Sequence, residues 1–431
     1  MSRMNVFVLI VVLLIITAGC TDDDHEIVYE ADSAIEGTIK VLYYDDQAFF
    51  REYGDLFLAK FPNLEVEVVE GSLQGSGWER ILEEEKPDVL ALDMRAYDRL
   101  IQEGRLYELD PLMAHSEFDL EQVHSGIVQF LRQIGEGKLY GLPPTFINKA
   151  VYYNAELFDA YGIPYPQDHM TWQELLELAA RFPANEEIYG LYVPRFVLLL
   201  EEMGYTEGVT FVDSDEMKVT IQDGTFHEIL KQILDGYRAG AIVSPDFSET
   251  LEGPSDPFIS GKSAMMFNYS YYIHNELGRF TGEKQPFRWD LTASPVHANN
   301  RQASTTYYFN YIFAVNAESE QVQASWELVK WINSKEAANL KSKASQLELP
   351  TRTSYLYNPE GKHMEAFYTL DPDFHHMLVE YDRFPKGFFG QLEAMILQES
   401  KMAYVGQKSL DEALQSIQTR GETELRMLRQ N

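Results

Sequence analysis

The chain has 431 residues, 45% of them apolar and 24% charged, ordinary values for a chain that builds globular cores. That length allows two or three lobes of roughly 100–200 residues each. The net charge of −33 argues against binding nucleic acid or an anionic membrane face through a basic patch; it leaves a solvated acidic surface, or a cleft that draws in cations.

Residues 1–19 read as a secretion signal. Arg3 supplies the positive start, and Val6–Ile16 is an apolar run shorter than the ~20 residues a bilayer span needs. Thr17-Ala18-Gly19-Cys20 resembles a lipobox, with Thr17 where leucine is usual. Cys20 is the only cysteine, so neither a disulfide framework nor a cysteine-rich zinc site is available. A lipid on Cys20 accounts for a lone thiol in an exported chain, and two or more acyl chains anchor firmly. Residues 20–36 are polar and acidic and read as a tether. The expected location is the outer face of the cytoplasmic membrane.

Lys40–Tyr43 predicts a first strand. A helix follows with Phe49, Tyr53, Leu56, Phe57 and Phe61 on one face, stopped by Pro62. Leu64–Val69 alternates as a half-buried strand. The loop with Gly71, Gly75 and Gly77 follows the second strand and lacks dinucleotide-binding spacing. Pro87–Leu92 predicts a buried strand ending at Asp93. These βαβ units argue for a mainly parallel sheet covered by helices. Further on, Pro143-Pro144 sets an extended entry, Ala150–Tyr153 a strand and Glu156–Tyr161 a short helix. Thr171 and Glu174 form a capping box for the next helix. Residues 171–242 are mostly helical, with a strand at Lys218–Ile221 and an apolar face of Phe226, Ile229, Leu230, Ile233, Leu234 and Tyr237. Tyr311–Val315 predicts another strand, Ser319 a cap for the helix carrying Val322, Trp326, Val329 and Ile332, and Ser409 with Glu412 a second capping box.

Gly141-Leu142-Pro143, Tyr152-Tyr153-Asn154, Leu157-Phe158, Gly162-Ile163, Pro166 and Thr171-Trp172-Gln173-Glu174-Leu175 together resemble the central signature of bacterial extracellular solute-binding proteins, family 1. Phe258–Met266 and Leu349-Pro350-Thr351-Arg352 extend the resemblance, with Tyr269 and Tyr271 where glycine and tryptophan are usual. It implies an α/β, two-lobed, periplasmic-binding-protein-like fold of type II. The expected division is residues 37–143 plus 263–310 in lobe one and 144–262 plus 311–431 in lobe two. The crossings are expected near Pro143–Phe146, Ser260–Ser263 and Asn310–Phe313. The resemblance also implies a monomer that captures a small solute, commonly a sugar or oligosaccharide, and hands it to ABC permease subunits, without catalysis, metal or cofactor.

The residues themselves weigh against an enzyme. No Gly-x-Ser-x-Gly elbow and no His-Glu-x-x-His occurs. Asp45-Asp46 is the best carboxylate pair, open to helix capping, ligand hydrogen bonding or acid–base chemistry. His375-His376 with Glu380 reads as a solvated pair. The 26 tyrosines and 25 phenylalanines suit a sugar site, which needs flat apolar faces with polar tips. The candidate ligand-binding residues are Tyr44, Asp45, Asp46, Asp93, Phe146, Asn148, Asn268, Tyr269, Tyr271, Tyr307, Tyr308 and Asn310. Trp172 and Trp326 are assigned to packing. A cationic solute such as a polyamine, a glycan-acting enzyme at the cell surface and a sensor subunit remain as rivals.

Overall fold

Two five-stranded sheets position everything else. In chain order their strands are β1 (Gly37–Tyr43), β2 (Leu64–Glu70), β3 (Val89–Leu92), β4 (Gly141–Leu142), β5 (Lys149–Asn154), β6 (Tyr189–Tyr192), β7 (Ile242–Val243), β8 (Ser263–Tyr269), β9 (Trp289–Ala293) and β10 (Ile312–Val315). The structure is a computed structural model and describes residues 34–71, 78–116, 118–248, 256–279, 287–344, 348–358 and 361–430. The signal, Cys20, most of the tether, Gly75 and Gly77 lie outside the described residues.

The first sheet has the order β2-β1-β3-β10-β4 and the second β7-β6-β8-β5-β9. In each, one strand runs against the other four: β10 in the first and β5 in the second. Helices flank both sheets, as the two-lobed α/β reading requires.

The assignment of segments to the halves needs correction. β8 and β9 belong to the second sheet, through Met265↔Tyr153 and Leu291↔Tyr152. β10 belongs to the first, through Phe313↔Ala91 and Phe313↔Leu142. Burial on both faces demands an interior place in a sheet, and the cross-strand pairing decides which sheet. Ala264, Met265, Met266 and Phe267 are all buried, as are Ile312, Phe313, Ala314 and Val315, and such strands are stable only in a sheet interior. Ser263–Asn310 therefore does not build the first half, and Ser260–Ser263 is no crossing. Helices Val322–Ile332 and Lys335–Ala344 follow β10; Trp326 and Trp331 fill the core that the first sheet shares. Phe388–Tyr404 and Leu410–Gln430 pack on the second half through Phe388, Leu392, Ile396, Leu414, Ile417 and Leu425.

The chain crosses between the halves on three segments that lie side by side. Thr145 and Phe146 pair with Pro350 and Leu349. Ile147 and Tyr308 exchange backbone hydrogen bonds of 2.8 Å in both directions. Phe146 and Tyr307, both 1% exposed, stack at 5.2 Å in the packed interior of this junction.

Local signals explain the helix ends. Thr171 Oγ1 accepts from the Glu174 amide while the Glu174 carboxylate accepts from the Thr171 amide, completing a capping box. Ser409 and Glu412 do the same. Ser319 does not cap by itself; Gln321 occupies the cap position, and Ser319 Oγ accepts from its amide. The expected helix after β1 is broken into Asp46–Phe49, a π-helical turn Phe50–Gly54 and Asp55–Lys60. Gly54 lies against the Phe50 and Phe49 rings, where a Cβ would meet Phe50 at 2.6 Å. Replacing Thr171 with alanine removes one half of its capping box and is expected to cost about 1 kcal/mol, read as a lower denaturant midpoint at an unchanged slope.

Candidate functional site

In open α/β sheets the carboxyl ends of parallel strands leave a crevice for ligands. Here those ends are Tyr43 and Leu92 in the first half and Tyr269 in the second, while the reversed strands β10 and β5 begin at the same edges, preceded or opened by Tyr311 and Lys149. The two edges face each other across the seam. Tyr308, on a crossing segment, lies between them: burial raises its phenol pKa, and Asp93 and Arg95 of the first half and Tyr269 of the second all act on it.

The first half presents a tyrosine stack. Tyr44 lies parallel to Tyr311, 4° between planes and 6.0 Å between centroids, and Tyr44 is 48% exposed. Its phenol and that of Tyr43 point to Glu52, which faces Lys341 at 3.5 Å. The second half presents another: Tyr269 and Tyr271 stack at 4.9 Å and 13°. Beneath Tyr269, at 4.3 Å from its centroid, lies the Lys149 ammonium, ion-paired with Glu202. Burial alone would lower the Lys149 pKa; the Glu202 carboxylate and Tyr269 outweigh it and hold the amine charged.

Alongside, Tyr205 donates to Glu201 at 2.8 Å, meets the Tyr381 hydroxyl at 2.9 Å and stacks on His376 at 4.3 Å. Burial raises the Glu201 pKa. It lowers that of His376 to about 4, with Lys149 and His375 adding to the effect and Asp373 opposing it. Arg95 reaches across to Asp382 at 2.7 Å and sits 3.8 Å from Asp93.

The structure thus brings Tyr44, Asp93, Tyr269, Tyr271 and Tyr308 to one seam. Asp45 and Asp93 cap helices, accepting from the Ala48 and Ala96 amides at 2.7 and 2.8 Å. Asp46 opens the first helix, its amide donating to Glu70 at 3.2 Å. Asn268 lies at the end of β8, folded onto the Tyr269 amide at 2.8 Å.

Four candidates are placed elsewhere. Phe146 is core, wedged among Tyr307, Tyr368 and His124. Tyr307 points the same way, donating to the Leu370 carbonyl at 2.6 Å. Asn148, 2% exposed, donates to the Phe367 carbonyl at 2.7 Å and accepts from the Lys149 amide and Thr306, so its polar atoms are used. Asn310 donates to Glu348, which also accepts from Thr145 at 2.6 Å, so it ties crossing segments together. The histidine pair also differs: His375 is exposed on Asp373, but His376 is packed on Tyr205. Lys149, Glu202, Tyr311 and Arg95 were not singled out from sequence. Lys149 had a signal, since it shares parity with the buried Val151 and Tyr153, and an inward lysine needs a buried acid.

Phe146→Ala should cost about 3–5 kcal/mol in urea unfolding, whereas Tyr44→Ala, at an exposed ring, should stay within about 0.5–1 kcal/mol. His376 gives a pH signature. Its folded pKa of about 4 lies below the ordinary 6.5, so only the unfolded chain takes up the proton between those values. Stability is therefore untouched above pH 6.5 and falls from there toward pH 4, by on the order of 3 kcal/mol. His376→Gln should flatten that limb in denaturation series at stepped pH; an unchanged slope would remove His376 as its source.

The family of bacterial extracellular solute-binding proteins matches residues 43–339. Among solved structures, a sugar transporter from Rhizobium etli in an open conformation is 19% identical, with 90% of this chain and 99% of that one covered and a TM-score of 0.64. The sugar-binding protein MalE of Xanthomonas citri is 17% identical, covering 91% and 98%, at 0.62. An ABC substrate-binding protein of Listeria monocytogenes in complex with cycloalternan is 19% identical, covering 90% and 98%, at 0.55. At such identities the structures speak for the fold, and the family match covers well over half the chain: this protein belongs to the bacterial extracellular solute-binding proteins.

Proposed function

We propose that the protein captures an uncharged sugar or oligosaccharide in the seam between its halves and delivers it to the permease subunits of an ABC importer. One observation carries this reading: most of the charged groups at the seam are engaged within the protein, while two of its tyrosines are left open. Lys149 pairs with Glu202, Arg95 with Asp382 and Asp93, and Asp45 and Asp93 each hold a helix amide. Tyr44 and Tyr308, by contrast, are 48% and 40% exposed. A polyamine would need free carboxylates. A sugar needs ring faces for its C–H surfaces and polar tips for its hydroxyls. The sugar ligands of the fold neighbours agree with this chemistry.

Hinge closure over the three crossing segments is the proposed mechanism, with solute shifting the population toward the closed form by touching both halves. Candidate contacts are Tyr44, Asp93, Tyr271 and Tyr308, with Asp46, Asn268 and Tyr311 at the edges. No residue in this set is asked to perform catalysis. Lipid on Cys20 would hold the monomer at the outer face of the cytoplasmic membrane.

Calorimetry against maltotriose and spermidine tests the reading. A micromolar saccharide complex corresponds to about −8 kcal/mol. Its affinity should change less than about twofold between low and high salt, because no ion pair forms with the solute. Tyr44→Ala and Tyr308→Ala should each weaken it by roughly 2–10-fold. Salt-sensitive spermidine binding without saccharide binding would replace this reading with the cationic one.

A further inference from the structure

The Lys149–Glu202 pair is buried at the floor of the second half, with side chains only 10% and 7% exposed. Burying two charges is expensive, and such a pair contributes little net stability compared with apolar residues of the same volume. Its placement suggests another use. The ammonium lies 4.3 Å from the centre of the Tyr269 ring, and Tyr271 stacks on that ring at 4.9 Å. Lys149 and Tyr271 thus both bear on Tyr269, and the ammonium also acts on its phenol.

The rest of Tyr269 is equally fixed. Its carbonyl accepts from the Tyr152 hydroxyl at 2.7 Å and its amide donates to Asn268 at 2.8 Å. Glu202 is held in turn by the helix Phe196–Thr206, whose Thr206 hydroxyl donates to the Glu202 carbonyl and accepts from the Trp172 indole. Between described residues, the ring contact of Tyr271 is with Tyr269 alone.

We propose that Lys149 and Glu202 are specificity-determining positioning residues: the buried pair locks Tyr269, Tyr269 locks Tyr271, and the outer face of Tyr271 is a preformed stacking surface for an uncharged saccharide ring. This deepens the sugar-binding reading and rests on it. A ring already ordered avoids the entropy cost of ordering on binding. The ammonium behind the stack also acts electrostatically on Tyr271, and its positive charge opposes a second cation on that ring, so the platform favours a neutral C–H surface.

The test uses the full protein labelled with 3-fluorotyrosine, the Tyr271 line being the one lost in Tyr271→Phe. In the double variant Lys149→Met/Glu202→Leu the pair is replaced by apolar volume. The Tyr271 line is expected to move to the position of a mobile ring, and maltotriose binding to weaken about tenfold. Lys149→Arg should keep the line and hold affinity within about threefold. Its guanidinium can lie on Tyr269 and also reach the second Glu202 oxygen, which is buried without a partner. Tyr269→Leu, which leaves the ion pair intact, should weaken binding as much as the double variant and serves if that variant does not fold. A line unmoved in the double variant, or moved with affinity unchanged, would overturn the proposal. Absence of maltotriose binding to the unaltered protein would instead count against the sugar reading, while the fluorine line still judges the lock.

Discussion

Three strands side by side have to do two jobs at once in this molecule. They carry the chain between two halves, and their own amides and carbonyls must be satisfied where they cross. The reciprocal bonds between Ile147 and Tyr308 and the pairing of Phe146 with Leu349 meet the second demand. The first is met by extended backbone, which bends without giving up a helix's internal hydrogen bonds. Phe146, Tyr307, Tyr368 and His124 fill the space around the crossings. Glu348 gathers Thr145 and Asn310 from two different crossings. Everything that faces the seam is placed by this junction.

Given that junction, each half offers the same kind of surface in a different way. The first half supports Tyr44 and Tyr311 from behind with Glu52, Lys341 and Tyr53, the last two in direct contact. The π-helical turn Phe50–Gly54, permitted by the missing side chain of Gly54, puts Glu52 and Tyr53 on that network. The second half supports Tyr271 through Tyr269 from the Lys149–Glu202 pair. In both, ionised groups sit behind aromatic rings and are neutralised within the protein. The surface left toward the seam is aromatic and hydroxyl-bearing, a match for polyhydroxylated solutes in a chain whose overall charge is strongly negative.

The local part of this was legible in the amino-acid order. Short apolar runs located β1 and β5 and alternation located β2, each to within a few residues, and the Thr171 and Ser409 capping boxes formed because every atom they need lies within four residues. Strand partners were not legible. Ala264–Phe267 and Ile312–Val315 are both uniformly apolar, and such strands fit the middle of either sheet, so chain order alone placed them in the wrong halves. The site shows the same limit at the scale of one residue. Tyr307 and Tyr308 are neighbours of one type, yet on extended backbone they point to opposite sides, one to the core and one to the seam. Phe146, Asn148 and Asn310 were chosen because they stood at crossings; crossings must be packed and hydrogen-bonded, and that is where those side chains went.

In the proposed mechanism both halves grip one uncharged solute through their tyrosine faces. A crystal structure with a bound oligosaccharide measures this directly. The expected result is a sugar ring with Tyr44 on the side of the first half and Tyr271 on the side of the second, with Tyr308 between them and no ion pair to the ligand. A saccharide held by one half alone, or seated away from these three rings, would contradict it.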